Sequence, residues 1–350
     1  MATSNAVRFL NNGTDDRELA LKMYWGTVVE TFQRNTVFWD NSSSIAEYKN
    51  VGPGKSWQFI VFGEDVDPEY HTPGVELLGQ PFDLTEGTIT VDDILVAHND
   101  LPIDQMSMAH FDIVKKAALK HGRQLAKDFD TKMCITGLKA ARHYALPGFH
   151  PGGNRVNAAT TGDIATAYPA NSTGAGYFYD SALNLANLLD DDNVPEEGRF
   201  MFIPPYIWRV LQYNTTLFSK DYSSYAGDLA TRIITKLAGF NLVVCKNMPS
   251  TDVTSGPAKY HGDFTYDNAG GSPTLSEGWS STIYNDGRPA ALVLCGADEG
   301  RAAIGVVESM GITTAKAEDV RRNTTFIKAQ MVIGCDVLFP TCAGEIYCDD

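Results

Sequence analysis

The stretch of sequence that decides the fold is Asn50-Val-Gly-Pro-Gly-Lys-Ser-Trp-Gln-Phe59, which contains the triplet Gly54-Lys55-Ser56. That triplet is the end of a phosphate-binding loop, but the complete pattern also needs a glycine five positions before Gly54, where this chain has Lys49. A phosphate-binding loop also leads from a buried strand into a helix, whereas the strand-forming run Trp57–Phe62 follows here. The stretch is therefore interpreted as a turn that leads into a strand, and not as a nucleotide site.

This strand predicts a long hairpin. The run Trp57–Phe62 is rich in β-forming residues, and Thr88–Val91 has the same character. About two dozen residues separate them, and they include the turn formers Asp67-Pro68 and Thr72-Pro73-Gly74. Because an isolated hairpin is only marginally stable in water, we expect this one to need a neighbouring surface.

A long helix is predicted from Asp104, which can cap it, to about Ala140. It carries one apolar stripe at helical spacing: Val114, Ala118, Gly122, Leu125, Phe129 and Met133. A helix of about 36 residues is roughly 54 Å long, which is typical of a strut.

The rest of the chain is predicted to mix helices and strands. The N-terminal region reads as a helix over Arg17–Phe32 followed by a polar tract with no convincing strand, and residues 147–180 and 250–289 read as loops. Further helices are predicted at Ser181–Leu189, Pro205–Tyr213 and Leu229–Leu237, the last with Gly239 at its C-cap. Strands are predicted at Phe200–Ile203, Phe240–Cys245, Ala291–Cys295 and Ile304–Glu308.

Composition excludes several functional classes. With 28 basic and 43 acidic residues the formal charge is −15, which makes the chain a poor candidate for wrapping DNA through phosphate contacts. No apolar run has the length of a membrane span, and the N-terminus lacks a signal-peptide pattern, so we expect folding in a cytoplasm with six free thiols. No catalytic, metal or cofactor motif is present, and we expect no cofactor and no enzymatic activity.

The predicted hairpin and long helix cannot bury their own surface within one subunit. They therefore indicate a protein that assembles with neighbours.

Several short segments, taken in order, resemble major capsid proteins of T-seven-type short-tailed bacteriophages. The N-terminal segments are Thr31-Phe-Gln-Arg-Asn-Thr-Val37, Gly54-Lys-Ser-Trp-Gln-Phe59 and Thr88-Ile-Thr-Val-Asp-Asp93. They are followed by Leu125-Ala-Lys-Asp-Phe-Asp130, Arg199-Phe-Met-Phe-Ile-Pro-Pro-Tyr206, Leu237-Ala-Gly-Phe-Asn-Leu-Val-Val244 and Ala302-Ala-Ile-Gly-Val-Val307. Each segment alone is short, and the resemblance rests on their common order over about residues 17–348.

The resemblance implies the α+β Hong Kong-97-type phage capsid fold, with an N-terminal arm, an extended loop hairpin, a long spine helix, a peripheral domain and an axial domain. It assigns residues 1–52 to the arm and residues 53–97 to the extended loop. It places residues 98–180 and 301–350 in the peripheral domain, with the spine helix at 104–140, and residues 181–300 in the axial domain.

The resemblance also implies the contacts. Extended-loop residues that would touch an adjacent subunit are Gly54, Lys55, Trp57, Phe59, Val61, Ile89 and Val91. The core face of the spine helix would be Val114, Ala118, Leu125, Phe129 and Met133.

The implied function is a major capsid protein that assembles in the bacterial cytoplasm, as hexamers and pentamers, into an icosahedral shell around double-stranded DNA. Its partners would be further copies of itself, a scaffolding protein, a portal protein at one vertex and DNA by non-specific proximity, with no membrane. Because no long prodomain precedes the arm, we expect a separate scaffolding protein and no self-cleavage. We also expect the acidic chain to give the genome a lining that does not bind phosphate. The alternatives are an encapsulin-like compartment shell of the same fold and an enzyme built on residues 181–310.

Overall fold

The structure is a computed structural model that describes most of the chain. The described residues are 16–38, 45–52, 54–62, 68, 70–71, 73–74, 76, 84–91, 94–102, 113–143, 151–158, 164–213, 227–228, 233–234, 236–249, 288–296, 302–319 and 321–348. The predicted loop at 250–289 therefore falls almost wholly outside them, as does the predicted cap Asp104.

The helices fall in the first two thirds of the chain, and strands make up most of the described remainder. The helices are α1 (Asp16–Asn35), α2 (Ile113–Ala141), α3 (Ile164–Ala167), α4 (Ser172–Asp191) and α5 (Pro205–Leu211), with a 3₁₀ turn at Pro340–Cys342. The first seven strands are β1 (Ala46–Asn50), β2 (Ser56–Phe62), β3 (Leu84–Thr90), β4 (Leu95–Pro102), β5 (Asn154–Asn157), β6 (Arg199–Ile203) and β7 (Gly227–Asp228). The remaining strands are β8 (Ile233–Ile234), β9 (Lys236–Leu237), β10 (Phe240–Val244), β11 (Arg288–Cys295), β12 (Ile304–Asp319), β13 (Thr324–Val337) and β14 (Ala343–Cys348).

Two sheets form the body of the molecule. A four-stranded sheet has the order β1-β12-β13-β4 and is built on the long antiparallel pair β12–β13. A six-stranded sheet has the order β5-β14-β11-β6-β10-β9, and its central residues Ala290–Cys295 are fully buried. Strands β5 and β14, which the resemblance placed in the peripheral domain, thus pair into one sheet with strands of residues 181–300.

Helix α2 connects the two sheets. The Met133 sulfur lies 3.9 Å from that of Cys335 on the four-stranded sheet, and an added Cβ at Gly137 would lie 2.9 Å from Leu292 on the six-stranded sheet. The predicted long helix is confirmed over Ile113–Ala141.

Helix α1 lies along α2 and was also predicted. Phe32 meets the Phe129 ring edge-on at 5.7 Å, and the Tyr24 hydroxyl lies 2.6 Å from His121 Nδ1. The helices approach each other closely at Gly122, where an added Cβ would lie 2.7 Å from the Val28 carbonyl oxygen.

This close approach gives a matched pair of predictions. Gly122→Ala should force α1 away from α2 and destabilise the subunit by about 1–3 kcal/mol, the usual cost of overpacking. Gly26→Ala, in α1, has nothing within 4 Å of the added methyl group. It should stabilise the subunit by roughly 0.5–1 kcal/mol, because glycine is a poor helix former. Thermal unfolding of both variants measures the difference, and shifts of the same sign would contradict the packing described here.

A buried carboxylate holds the end of α1 in place. Asp130 of α2 is fully buried, and its oxygens accept hydrogen bonds from the backbone N–H of Val37 at 3.2 Å and of Phe38 at 3.5 Å. Asn247 donates a third bond at 3.1 Å. Burial raises the pKa of Asp130 to about 6 from its usual 3.8, although these three donors favour the charged form.

The raised pKa predicts a pH dependence. Because the folded chain keeps this proton to a higher pH than the unfolded chain, the contribution of Asp130 to stability falls as pH rises through this interval and is constant above pH 6. Between about pH 4 and pH 7 the loss should be about 2–3 kcal/mol. Asp130→Asn lacks this titration, so its urea-unfolding free energy should rise relative to wild type over the same range. Parallel pH curves for the two proteins would show that Asp130 does not titrate there.

Residues 147–180 were predicted to be loop, and this prediction is wrong for much of the segment. Strand β5 and helix α3 lie within it, and α4 begins at Ser172 instead of Ser181. The Asn171 side chain caps α4 by accepting a hydrogen bond from Gly174 N at 2.8 Å. The small residues suggested a loop, but they let this helix pack closely, since an added Cβ at Gly174 would lie 2.7 Å from Pro169 N.

Residues Leu229–Leu237 were predicted to be a helix, and the structure instead has strands β8 and β9 there. Leu237 pairs with Phe240 across a two-residue turn, Ala238-Gly239, in which both residues have positive φ (49° and 85°). Gly239 was predicted to be a helix C-cap and instead lies in this turn; both structures use glycine at positive φ. The missed strand β1 is polar and forms only by parallel pairing with β12.

Candidate assembly surface

The predicted extended loop begins as an antiparallel hairpin. Strands β2 and β3 pair from Ser56–Thr90 to Phe62–Leu84. The turn before it is held by Gly54 N donating to the Val51 carbonyl at 3.3 Å and by Val91 N donating to the Lys55 carbonyl at 2.8 Å. Gly54-Lys55-Ser56 thus leads into a strand, as predicted, and Lys55 is exposed.

The inner face of the hairpin rests on the four-stranded sheet. Ile89, Val91 and Val307 form a small buried cluster, which we call the hairpin-base cluster, and Trp57 and Phe59 pack against it half-buried. Phe59 lies across Gly87, where an added Cβ would overlap the ring. The resemblance assigned Trp57, Phe59, Ile89 and Val91 to contacts with a neighbour. In the subunit, all four make contacts within the chain.

Two glycines let the hairpin approach the sheet closely. An added Cβ at Gly305 of β12 would overlap the Ile89 side chain, and one at Gly334 of β13 would lie 2.9 Å from Val91 Cα. The residues on either side of Gly334 face the other way, because successive side chains of a strand alternate between faces. Ile333 lies against α1, and Cys335 lies against Met133 of α2. The hairpin and the two helices therefore cover opposite faces of the four-stranded sheet.

The outer face of the hairpin carries exposed apolar side chains. Ile60 is 60% exposed and Leu84 is 56% exposed. Because Ile60 pairs with Glu86, Leu84 is its diagonal neighbour on the same face. Sequence reasoning did not single out this pair; alternation from the inward-facing Trp57 and Phe59 would have indicated Ile60.

The predicted core face of α2 lies in the main core. Ala118, Leu125, Phe129 and Met133 are at most 1% exposed, and Val114 is partly buried against the same cluster. The side chain of Val61, the remaining predicted contact residue, lies outside the described residues.

A second surface feature was also missed. A cleft of about 240 Å³ opens between α1 and the β12–β13 pair, next to a bulge in β12. Trp25 lines it, is 47% exposed and donates from Nε1 to the Ile312 carbonyl at 2.8 Å, and Met310 beside it is 37% exposed.

No arrangement suited to catalysis is present in the described part of the chain. Burial raises the pKa of the Cys134 and Cys295 thiols, which makes both poor nucleophiles. The described residues contain no group of three or more His, Cys, Asp or Glu side chains placed to hold a metal ion. None of the described helices is long and apolar enough to cross a bilayer.

A family model described as Gp10A-like major capsid protein matches residues 58–347, which is most of the chain. The chain belongs to this family. This capsid protein is a structural component of a phage shell and not an enzyme, and its location is the virion capsid. Among curated proteins, none matches it in sequence.

Solved capsid structures share the fold of this capsid protein. In the capsid of cyanophage P-SCSP1u the match has a TM-score of 0.71 and 25% identity and covers 90% of this chain and 88% of that chain. The match to the mature capsid of bacteriophage PhiM1 has a TM-score of 0.69 and 18% identity, and it covers 90% of this chain and 87% of that chain. The match to Mycobacterium phage Che8 has a TM-score of 0.57 and 16% identity, and it covers 84% of each chain. The capsid protein therefore has the Hong Kong-97-type fold that the resemblance implied.

Proposed function

We propose that this capsid protein assembles as hexamers and pentamers into the icosahedral shell of a T-seven-type short-tailed phage, and that the shell encloses double-stranded DNA. In the shell, the β2–β3 hairpin of each subunit lies on a neighbouring subunit. The observation that carries the proposal is the exposed pair Ile60 and Leu84 on a hairpin whose other face is already packed. A hairpin that uses one face inside its own chain has the other available for a second copy.

The contacts to a neighbour are reassigned accordingly. Ile89 and Val91 fix the base of the hairpin on its own subunit, so the contact with a neighbour passes to the outer face. Trp57 and Phe59 lie half-buried on the inner face, beside that cluster. The same patch on each subunit would meet a different patch on the next, which is the heterologous arrangement that closes rings.

The domain boundaries follow the two sheets. The peripheral domain comprises the four-stranded sheet with α1 and the first half of α2. The axial domain comprises the six-stranded sheet, to which β5 and β14 contribute although they lie outside residues 181–300. Residues 1–52 are still proposed as the arm, and within them α1 and β1 pack on the peripheral domain. A scaffolding protein and a portal protein are proposed as assembly partners on the ground of the family alone.

Electron microscopy of particles from cells that express the protein with its phage partners tests this proposal. We expect closed shells with five-fold and six-fold rings and nuclease-protected double-stranded DNA. Shells that hold only protein cargo would favour the compartment alternative, against which the phage capsid family match already speaks. A stable small oligomer that never closes would contradict the proposal outright.

A further inference from the structure

The exposed face of α2 has an unusual charge. Its exposed positions are Lys115, Lys116, Lys120, Arg123, Gln124 and Lys127, so all but one carry a positive charge and none is acidic. The two acidic residues of the helix, Asp128 and Asp130, are both buried. This occurs in a chain with 43 acidic and 28 basic residues, in which an exposed helix face would ordinarily be mixed or negative.

Four of these cations form one stripe. At 3.6 residues per turn, Lys116, Lys120, Arg123 and Lys127 fall within about 60° around the helix, and Lys120 and Lys127 lie about 10 Å apart along it. Lys120, Arg123 and Lys127 make no ion pair with any residue that the structure describes. We use the name α2 stripe for these three residues only, without Lys116.

The segment that joins the two hairpin strands has the opposite charge in its sequence. Residues 63–83, which join the two hairpin strands, contain six acidic residues and no lysine or arginine. Glu76 is the one acidic residue of this segment that the structure describes, and its side chain is exposed. The acidic residues of this segment are therefore separate in sequence from the basic residues on the exposed face of α2.

From the positive charge of the exposed face of α2, and resting on the proposed DNA-filled shell, we infer that the helix-bearing face of the four-stranded sheet faces the packaged DNA, and that the α2 stripe binds its phosphates. Lysine and arginine side chains bind phosphate without regard to base sequence. Each DNA strand carries a phosphate about every 3.4 Å along its axis, so a stripe about 10 Å long can contact a short run of them.

The rival occupant of the stripe is a segment of a neighbouring subunit, which would protect the stripe in filled and emptied shells alike. The inference also revises the expectation of an entirely non-binding lining, because a limited number of phosphate contacts is confined to one stripe of an otherwise acidic protein.

Lysine labelling of intact particles tests the inference. DNA-filled and emptied shells are treated with an amine-acetylating reagent, and modification of Lys120 and Lys127 is quantified by mass spectrometry. We expect severalfold lower modification in filled shells, with no change at Lys55, which is exposed on the hairpin side. Equal, high modification in both shells would show a merely solvated face, and equal protection in both would show a protein contact. Either result overturns the inference while leaving the DNA-filled shell intact, whereas absence of any DNA-filled shell would overturn the proposed function.

A matched pair of variants gives a second readout. The triple variant Lys120→Gln, Arg123→Gln and Lys127→Gln removes three positive charges from the stripe. The control Lys316→Gln, Arg321→Gln and Arg322→Gln removes three from the exposed end of the β12–β13 pair. Filled shells of the stripe variant should release DNA on heating at a lower temperature than those of the control, and the difference should vanish at high salt, which screens phosphate contacts. Equal release temperatures at low salt would contradict the assignment.

Discussion

Shell assembly is expected to fail when Ile60 and Leu84 are both replaced by aspartate, while the subunit itself remains folded. Both side chains are more than half exposed in the subunit, so their loss removes little packing within the chain. In the proposed shell they are buried against a neighbour, where each contributes roughly 1.5–3 kcal/mol. An unpaired carboxylate buried at the same place is strongly unfavourable, so each contact changes from attractive to repulsive. Because every subunit repeats the contact, the effect multiplies around each ring.

The matched control is Ile60→Val with Leu84→Val, which keeps an apolar surface and should assemble. Sedimentation velocity separates shells from free subunits, and circular dichroism compares the fold of the two variants. Normal shells from the aspartate variant would show that the outer face of the hairpin makes no contact with a neighbouring subunit. Replacement of Trp57 and Phe59 is a less selective test, since both side chains also pack on the hairpin-base cluster.

The second large effect concerns the stability of the subunit. Glu345 of β14 is fully buried and is held by Arg142, which follows α2, through bonds of 2.7 Å from Nε and 2.5 Å from Nη2. Arg155 of β5 is a more distant partner, with Nε at 3.4 Å, and its guanidinium lies over the Tyr347 ring. Arg142→Ala should cost about 3–5 kcal/mol, because it leaves a buried carboxylate without its principal counter-charge.

Two further variants make this prediction specific. Arg155→Ala removes a side chain that is 38% exposed and keeps the bidentate pair, so it should cost no more than about 1 kcal/mol. Replacing Arg142 with Met and Glu345 with Leu together should cost much less than Arg142→Ala, since no charge is left buried. Urea unfolding of the unassembled subunit measures all three. Equal losses for the two single alanine variants would show that Arg142 is not the main partner of Glu345.

Much of this fold was predictable because strongly patterned segments decide their own structure. The apolar stripe of α2 repeats at helical spacing, whereas β2, β6, β10 and β11 are short runs of β-forming residues, too short for a typical helix. The family was identified from the order of several weak motifs along the chain. No single motif would have identified it.

The errors occurred where tertiary contacts override local composition. Strand β1 is polar and exists only through its partner β12, and α4 extends into a glycine- and alanine-rich stretch because small residues allow close packing there. The contacts with a neighbour stay a prediction; their residues were chosen by loop membership, which does not separate the two faces of a hairpin. Only the position of Gly305 and Gly334 beneath Ile89 and Val91 shows which face is used inside the chain.

Cryo-electron microscopy of the assembled shell, at a resolution that shows side chains, tests the central claim most directly. The account predicts that Ile60 and Leu84 of every hairpin lie against an adjacent subunit, while Ile89 remains packed on Gly305 of its own. Hairpins whose outer face points into solvent in both the five-fold and the six-fold rings would contradict it.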